Sequence, residues 1–169
     1  MIRPAKEMDI QKILHLTQAC GAALRVKNIF QWNSHYPNST VLTMDINRNE
    51  LWVFEDDSEL IGCMVLTDLM DEEYASIPWS LPDESAKYVH RLGVHPKWQR
   101  KGIASRLMDF AEQQSRVQGA TAIRLDTFSR NPGNQLFYEK RGYLSRGAIY
   151  FPHQSAYPFY CYELSLKST

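Results

Sequence analysis

A basic, glycine-containing turn is the part of the sequence whose residues most clearly point to chemistry. The segment Gln99–Ser105, which reads QRKGIAS, follows a predicted strand and opens a predicted helix. Gly102 and Ala104 are small, so main-chain N–H groups at the helix start can approach a phosphate closely, with the positive end of the helix dipole behind them. Both the GxxxxGK[ST] loop of triphosphate-binding proteins and the GxGxxG of dinucleotide folds are absent. The turn therefore predicts a pyrophosphate site for another kind of ligand, although taken alone such a turn is more often a solvated helix cap.

A second block with recognisable spacing begins at Asn131 and reads NPGNQLFYEKRGY. Together the two blocks resemble the GNAT acetyltransferase superfamily. Gln99, Gly102 and Ala104 match its Q/R-x-x-G-x-G/A signature, and the second block matches N-x-x-[AN]-x-x-[FL]-Y-E-K-x-G-[FY]. The resemblance is specific from Tyr88 to Tyr143, extends to the opening strand and turn at residues 2–9, and is only an outline over residues 28–87.

The resemblance implies that acetyl-CoA lies in a V-shaped opening between two parallel strands that splay apart. It assigns the pantetheine arm to a strand, the pyrophosphate to the basic turn, and further contacts with the arm and the sulfur to the second block. The implied cofactor-binding residues are Leu92, Gly93, Val94, Gln99, Arg100, Lys101, Gly102, Ile103, Ala104, Ser105, Asn131, Asn134, Phe137 and Tyr138. A main-chain N–H near Leu92 or Gly93 is expected to polarise the thioester carbonyl, as an oxyanion donor does.

The same resemblance implies direct attack of an amine on the thioester, with Tyr138 as the catalytic general acid. A phenol with an unperturbed pKa near ~10 stays protonated at neutral pH and can donate to a leaving thiolate. The same tyrosine is also typical of a half-buried helix residue whose hydroxyl merely finds a partner. Several residues are candidates for the general base, and the sequence does not choose among them: Glu72, Glu73, Glu84, Asp126 and His90.

The pattern of elements predicts a mixed α/β fold with one domain over residues 1–169. Strands are expected at 1–3, 51–55, 60–67, 88–94, 122–127, 148–151 and 159–166, and helices at 8–24, from 39 to about 46, 99–118 and 131–140. Residues 68–86 are expected to form a surface loop with a short helical piece. The resemblance arranges these elements as a GNAT fold, a central twisted mixed sheet of about six to seven strands flanked by about four helices and splayed between the fourth and fifth strands.

Composition and charge exclude several other classes of protein. The 169 residues are 44% hydrophobic and 22% charged, which is typical of a globular chain. Nineteen basic residues balance nineteen acidic ones, so no global field favours nucleic acid or an anionic membrane. The three cysteines are widely separated, which predicts buried free thiols and no metal site. A charged N-terminus and the lack of a long apolar run predict a cytoplasmic protein.

The acceptor is expected to be a primary amine of a small molecule. Aromatic and acidic residues from regions that border the acceptor side in the family would suit a small cation: Phe30, Trp32, Tyr36, Asp71, Glu72, Glu73 and residues 157–160. Two alternatives remain, a protein or peptide N-acetyltransferase on the same scaffold and a CoA-binding regulatory module without catalysis. A homodimer through the terminal strands is also left open.

Overall fold

The computed structural model describes residues 1–166, which form seven strands and four α-helices. The strands are β1 (Ile2–Pro4), β2 (Leu51–Asp56), β3 (Glu59–Thr67), β4 (Ala86–Val94), β5 (Ala122–Phe128), β6 (Leu144–Ile149) and β7 (Phe159–Ser165). The helices are α1 (Ile10–Val26), α2 (Ser39–Asn47), α3 (Ile103–Val117) and α4 (Pro132–Lys140). The strands form one mixed sheet in the order β1-β2-β3-β4-β5-β7-β6. The predicted mixed α/β architecture is confirmed.

One parallel pair distinguishes this sheet from a simple meander. Strands β4 and β5 pair in parallel, and their register joins Ala86–Tyr88 to Ala122–Arg124. The pairs β1-β2, β2-β3, β5-β7 and β6-β7 are antiparallel. The parallel pair thus joins the fourth and fifth strands, as the fold prediction requires.

Two predicted boundaries are wrong by four residues, and one helix has a different cap from the one that its sequence suggests. Helix α3 begins at Ile103 rather than Gln99, because Gln99 is extended and both Arg100 and Gly102 have positive φ, which an α-helix excludes. Strand β6 occupies Leu144–Ile149 rather than residues 148–151, because it is the Leu144–Ile149 segment that pairs with β7. Ser39, whose residue type suggests the cap of α2, is instead the first residue of that helix. The Asn38 side chain caps it and accepts from the N–H of Val41.

The chain divides into two compact units. The first contains Met1–Leu66 and His90–Ala111, and the second contains Thr67–Val89 and the chain from Glu112 onward. The division falls within β3, β4 and α3, so each of these elements contributes residues to both units. A single domain over residues 1–169 stays a prediction, and residues 167–169 lie outside the described part of the chain.

The first unit has a core between its helices and strands β2 and β3. Buried side chains of α1 and α2, among them Ile13, Leu16 and Leu42, pack with Val53 and Val65. Burial of each such side chain stabilises the fold by about 1.5–3 kcal/mol. This packing fixes the segment between α1 and α2 beside the last residues of β4.

The second unit contains a fully buried arginine. Arg124 of β5 lies opposite Glu163 of β7 in the strand register, and its Nε donates to the Glu163 carboxylate at 3.0 Å. The guanidinium also donates to Asp83 and to the Leu81 carbonyl, and lies over the Trp79 ring at 4.5 Å. Removing one member of a buried ion pair typically costs about 3–5 kcal/mol. This network holds the long segment before β4 against the sheet.

All three cysteines are buried free thiols, as predicted. Burial raises the pKa of the Cys20 and Cys63 thiols to about 12 and also raises that of Cys161. No helix within residues 1–166 is long and apolar enough to cross a membrane.

Candidate active site

The basic turn before α3 has the features of an anion site. Arg100 and Gly102 adopt positive φ of 61° and 79°, and a side chain added at Gly102 would meet no atom within 4 Å. The first i to i−4 hydrogen bond of α3 runs from the Arg106 N–H to the Gly102 carbonyl at 3.0 Å. The preceding N–H groups of Ile103, Ala104 and Ser105 therefore point out of the helix start. The exposed cations of Arg100 and Lys101 accompany them, and the Lys101 ammonium lies 4.4 Å from the Trp98 ring.

The Gln99 side chain closes this turn onto β4. Its Nε2 donates to the Val94 carbonyl at 3.1 Å, and the same carbonyl accepts from the Cys20 thiol at 3.1 Å. The amide of Gln99 therefore shapes the turn through a hydrogen bond within the protein. A direct contact of Gln99 with the pyrophosphate stays a prediction.

Gly93 in β4 is in close contact with the segment between α1 and α2. A Cβ at this position would lie 2.8 Å from Cη2 and 3.1 Å from Cζ3 of Trp32, closer than packed carbons approach. Trp32 is buried and belongs to the core of the first unit, so it cannot yield easily. Trp32, one of the aromatic residues expected to border the acceptor, is thus a core residue that packs on β4.

Sequence reasoning missed Arg91, which directly precedes the predicted Leu92–Val94 segment. Its φ of 52° is left-handed, which costs about 1–2 kcal/mol for a residue with a side chain. The guanidinium donates to Asp45 through Nε at 2.9 Å and Nη2 at 2.7 Å, and its Nη1 donates to the Tyr36 hydroxyl at 2.8 Å. Only 1% of the Asp45 side chain is exposed, so this ion pair is buried. No local pattern could have revealed it, because Asp45 lies on a different element.

The second block forms α4 and its cap. Asn131 is buried and caps the helix, its Oδ1 accepting from the Asn134 N–H at 3.3 Å. This bond uses the side-chain oxygen and leaves the amide nitrogen as the group that could contact an amide-rich ligand. Phe137 is half-buried, with its ring 5.2 Å from the Tyr138 ring.

Tyr138 is held among aromatic rings. It is 5% exposed, and its ring lies 5.7 Å from Tyr143 and 6.2 Å from Tyr162. Among residues 1–166 its hydroxyl has no hydrogen-bond partner. Burial, together with the nearby Asp126 carboxylate, raises the pKa of this phenol well above its usual range, so it keeps its proton at neutral pH.

Asp126 stands apart from the other base candidates. It lies half-buried in β5, and its Oδ2 accepts from the Tyr74 hydroxyl at 2.5 Å. Desolvation raises the pKa of Asp126 to about 6, with Asp71 and Glu73 adding like charge and the Tyr74 bond opposing the rise. A carboxyl of this pKa is ionised at pH 7 and yet basic enough to take a proton.

The remaining candidates fit the base less well. Glu72, Glu73 and Glu84 are exposed on short 3₁₀ turns. His90 lies in β4, and burial lowers its pKa to about 4, which makes its imidazole a weak base. Asp126 is therefore the candidate whose surroundings suit proton abstraction.

The structure places the predicted site residues in two groups. Leu92–Val94 and the turn Gln99–Ser105 belong to the first unit, and Asn131, Asn134, Phe137 and Tyr138 belong to the second unit together with Asp126. Within residues 1–166 there is no group of three or more His, Cys, Asp or Glu side chains arranged to hold a metal ion.

Comparison with known proteins gives consistent results. Residues 13–143 match the model of the Acetyltransferase (GNAT) family. The chain is 26% identical over 147 residues to YesJ of Bacillus subtilis (strain 168), an uncharacterised N-acetyltransferase, and this match covers 86% of the chain and 82% of YesJ.

Two solved structures illustrate the shared fold. A GNAT-family acetyltransferase from Streptococcus agalactiae 2603 superposes with a TM-score of 0.81 at 22% identity, covering 100% of this chain and 96% of the other. The yncA protein of Salmonella typhimurium, solved with its cofactor acetyl-CoA, gives a TM-score of 0.73 at 16% identity, with coverage of 100% and 95%.

Replacing Asp126 with asparagine should stabilise the protein above pH 6. The folded-state pKa of Asp126 is raised, so the neutral carboxyl does not lower the free energy of unfolding below its ordinary pKa of 3.8. The folded protein then loses stability as the pH rises from that value through about 6. After discounting for partial exposure, we expect Asp126→Asn to raise the free energy of unfolding at pH 7 by about 1 kcal/mol and to change it little at pH 4. Urea unfolding between pH 4 and 7 measures this.

The exposed turn residue Asp57 provides the matched control for this substitution. Asp57→Asn should leave the pH dependence of unfolding as in the wild type. A stability difference between Asp126→Asn and the wild type that stays constant from pH 4 to 7 would contradict the raised pKa.

Proposed function

The chain belongs to the acetyltransferase (GNAT) family and is an acetyl-CoA-dependent N-acyltransferase, and we propose that it acetylates a primary amine of a small molecule. The single observation that carries the choice of acceptor is the Asp126 carboxylate, which is half-buried, bonded to Tyr74 and affected by the charges of Asp71 and Glu73. Asp126 is the carboxylate needed for proton transfer, and the additional carboxylates of Asp71 and Glu73 suit an acceptor that is a small cationic amine.

The residues of the first unit fit the phosphate groups of acetyl-CoA. The space around Gly102 is open to a ligand, and the N–H groups and dipole at the start of α3 favour an anion there. The cations of Arg100 and Lys101 add to this attraction. Leu92, Gly93 and Val94 would hold the pantetheine arm through main-chain hydrogen bonds, and Asn131, Asn134 and Phe137 would contact it through their side chains. Bound acetyl-CoA supplies the acetyl group as an activated thioester.

Three groups of the protein would carry out the transfer. The Leu92 N–H donates to the thioester carbonyl oxygen, where negative charge develops as the amine attacks. Asp126 accepts the proton that the amine loses, and Tyr138 donates its proton to the departing thiolate. A C–N bond replaces the C–S bond, and transfer of the Asp126 proton to the Tyr138 phenolate through solvent restores both groups.

The first test is binding followed by turnover. Calorimetric titration of acetyl-CoA into the purified protein should show binding at one site, and thiol release should follow on addition of an amine. A panel of polyamines, amino acids, aminoglycosides and peptide N-termini distinguishes the acceptors. Turnover only on peptides would replace the small-molecule proposal with the peptide one, and binding without any turnover would favour a regulatory module.

Gly102→Ala should weaken acetyl-CoA binding. The added methyl group meets no protein atom, so its effects are the strain of a positive φ and obstruction of the phosphate approach. Gly119→Ala is a matched control, because Gly119 has φ of 78° and equally open surroundings but lies at the end of α3. We expect the Kd for acetyl-CoA to rise about tenfold or more only in Gly102→Ala. Equal affinity in both variants would remove the pyrophosphate assignment.

Tyr138→Phe should lower kcat about 100-fold and leave the Kd for acetyl-CoA nearly unchanged, since only the proton donor is lost. Because the pKa of Tyr138 is raised, the wild-type rate should show no decline from phenol ionisation up to about pH 10. Tyr143→Phe is the control, since Tyr143 is equally buried but its hydroxyl donates to Glu112 at 3.3 Å. A wild-type kcat in Tyr138→Phe would exclude it as the acid.

A further inference from the structure

The conformation of Arg91 is unusual for its place in the fold. Six residues other than glycine have positive φ within residues 1–166: Asn28, Asn49, Asp57, Ser58, Arg91 and Arg100. Arg91 is the one among them that lies inside a strand, while the others lie in connecting turns. A left-handed residue in a strand interrupts the regular ladder and redirects the peptide group that follows it. That peptide group contains the N–H of Leu92.

The strain at Arg91 is opposed by contacts that a strand residue does not normally have. Asp45 receives two hydrogen bonds from the guanidinium, which is the planar, bidentate arrangement that arginine makes and lysine cannot. The Tyr36 hydroxyl receives a third. The Asp45 carboxylate also accepts a hydrogen bond from Nη2 of Arg48 at 3.3 Å, so two arginines hold it in place.

The next residues of β4 are restrained from the same connecting segment. Trp32 packs on Gly93, and Tyr36, four residues further along, bonds to Arg91. The main chain on both sides of Leu92 is therefore held by side chains between α1 and α2. The Leu92 side chain has no polar atom, so side-chain hydrogen bonds that orient this peptide group must come from its neighbours.

We propose that Arg91 is a positioning residue, whose ion pair with Asp45 and hydrogen bond to Tyr36 hold the left-handed turn in β4 and thereby aim the Leu92 N–H. The inference rests on the proposed function, in which that N–H donates to the thioester carbonyl. An oxyanion donor contributes to the rate only when it is fixed before the charge develops. The Arg91–Asp45–Tyr36 cluster supplies that fixation from outside the strand.

The test separates the backbone conformation from the ion pair. Arg91→Ala/Asp45→Asn and Arg91→Gly/Asp45→Asn both remove the buried charges together, so neither leaves an unpaired ion. They differ in that glycine adopts positive φ readily and alanine does not. We expect both to lose kcat, with the alanine variant lower than the glycine variant by about 5- to 30-fold and the Kd for acetyl-CoA within about twofold of the wild type.

Turn residue Asn49 provides the control for strain alone, because its φ is 59° and it is exposed. Asn49→Ala and Asn49→Gly should differ in stability and have the same kcat. Equal kcat in the two Arg91 double variants, per molecule that binds acetyl-CoA, would overturn the proposal, as would a loss confined to acetyl-CoA affinity.

A milder variant keeps the proposal testable if the double variants do not fold. Tyr36→Phe removes one hydrogen bond and should lower kcat about 2- to 5-fold while shifting the ¹H–¹⁵N amide resonances of Leu92 and Gly93. The resonance shift does not depend on turnover, so it tests the positioning of the backbone even if the wild-type protein acetylates none of the amines. Unchanged resonances at both positions would overturn the proposal whatever the acceptor is.

Discussion

A guanidinium buried against a carboxylate organises each of the two units. In the first, Arg91 joins β4 to Asp45 of α2, and in the second, Arg124 joins β5 to Glu163. Both arginines also bind an irregular segment, through Tyr36 in one unit and Leu81 in the other. A desolvated charge must be paired completely, which restricts these segments to one arrangement.

Desolvation has opposite chemical results in two residues of the second unit. It raises the pKa of both Asp126 and Tyr138. For Asp126, which is ordinarily a very weak base, the rise brings the pKa closer to neutral pH. For Tyr138 the rise keeps the phenol protonated. The proposed base and the proposed acid thus acquire their properties from the same physical cause, acting on groups with different starting values.

The sequence predicted the parts of the site that depend on neighbouring residues. The spacing of Gln99, Gly102 and Ala104 located the turn, although its helix boundary was wrong because positive φ at Arg100 has no local signature. Strand β6 was displaced because Tyr150 and Phe151 have strong strand propensity, while the actual strand contains Arg146 and Gly147 and depends on pairing with β7. Asp126 was one base candidate among five, and it is distinguished by its desolvation and by its bond to Tyr74, which lies 52 residues away in the chain. Contacts between residues so far apart in the sequence do not affect the local periodicity from which elements are predicted.

The three buried cysteines affect how the enzyme can be studied. The thiolate is the form that reacts with disulfide reagents and alkylating agents, and at neutral pH almost none of it is present on Cys20, Cys63 or Cys161. Free coenzyme A, by contrast, is an unhindered thiol in water. Chromogenic disulfides should therefore detect released coenzyme A with little background from the folded protein. A slow background signal would instead report the fraction of molecules that have unfolded and exposed these thiols. One reagent can therefore follow both turnover and loss of the native state.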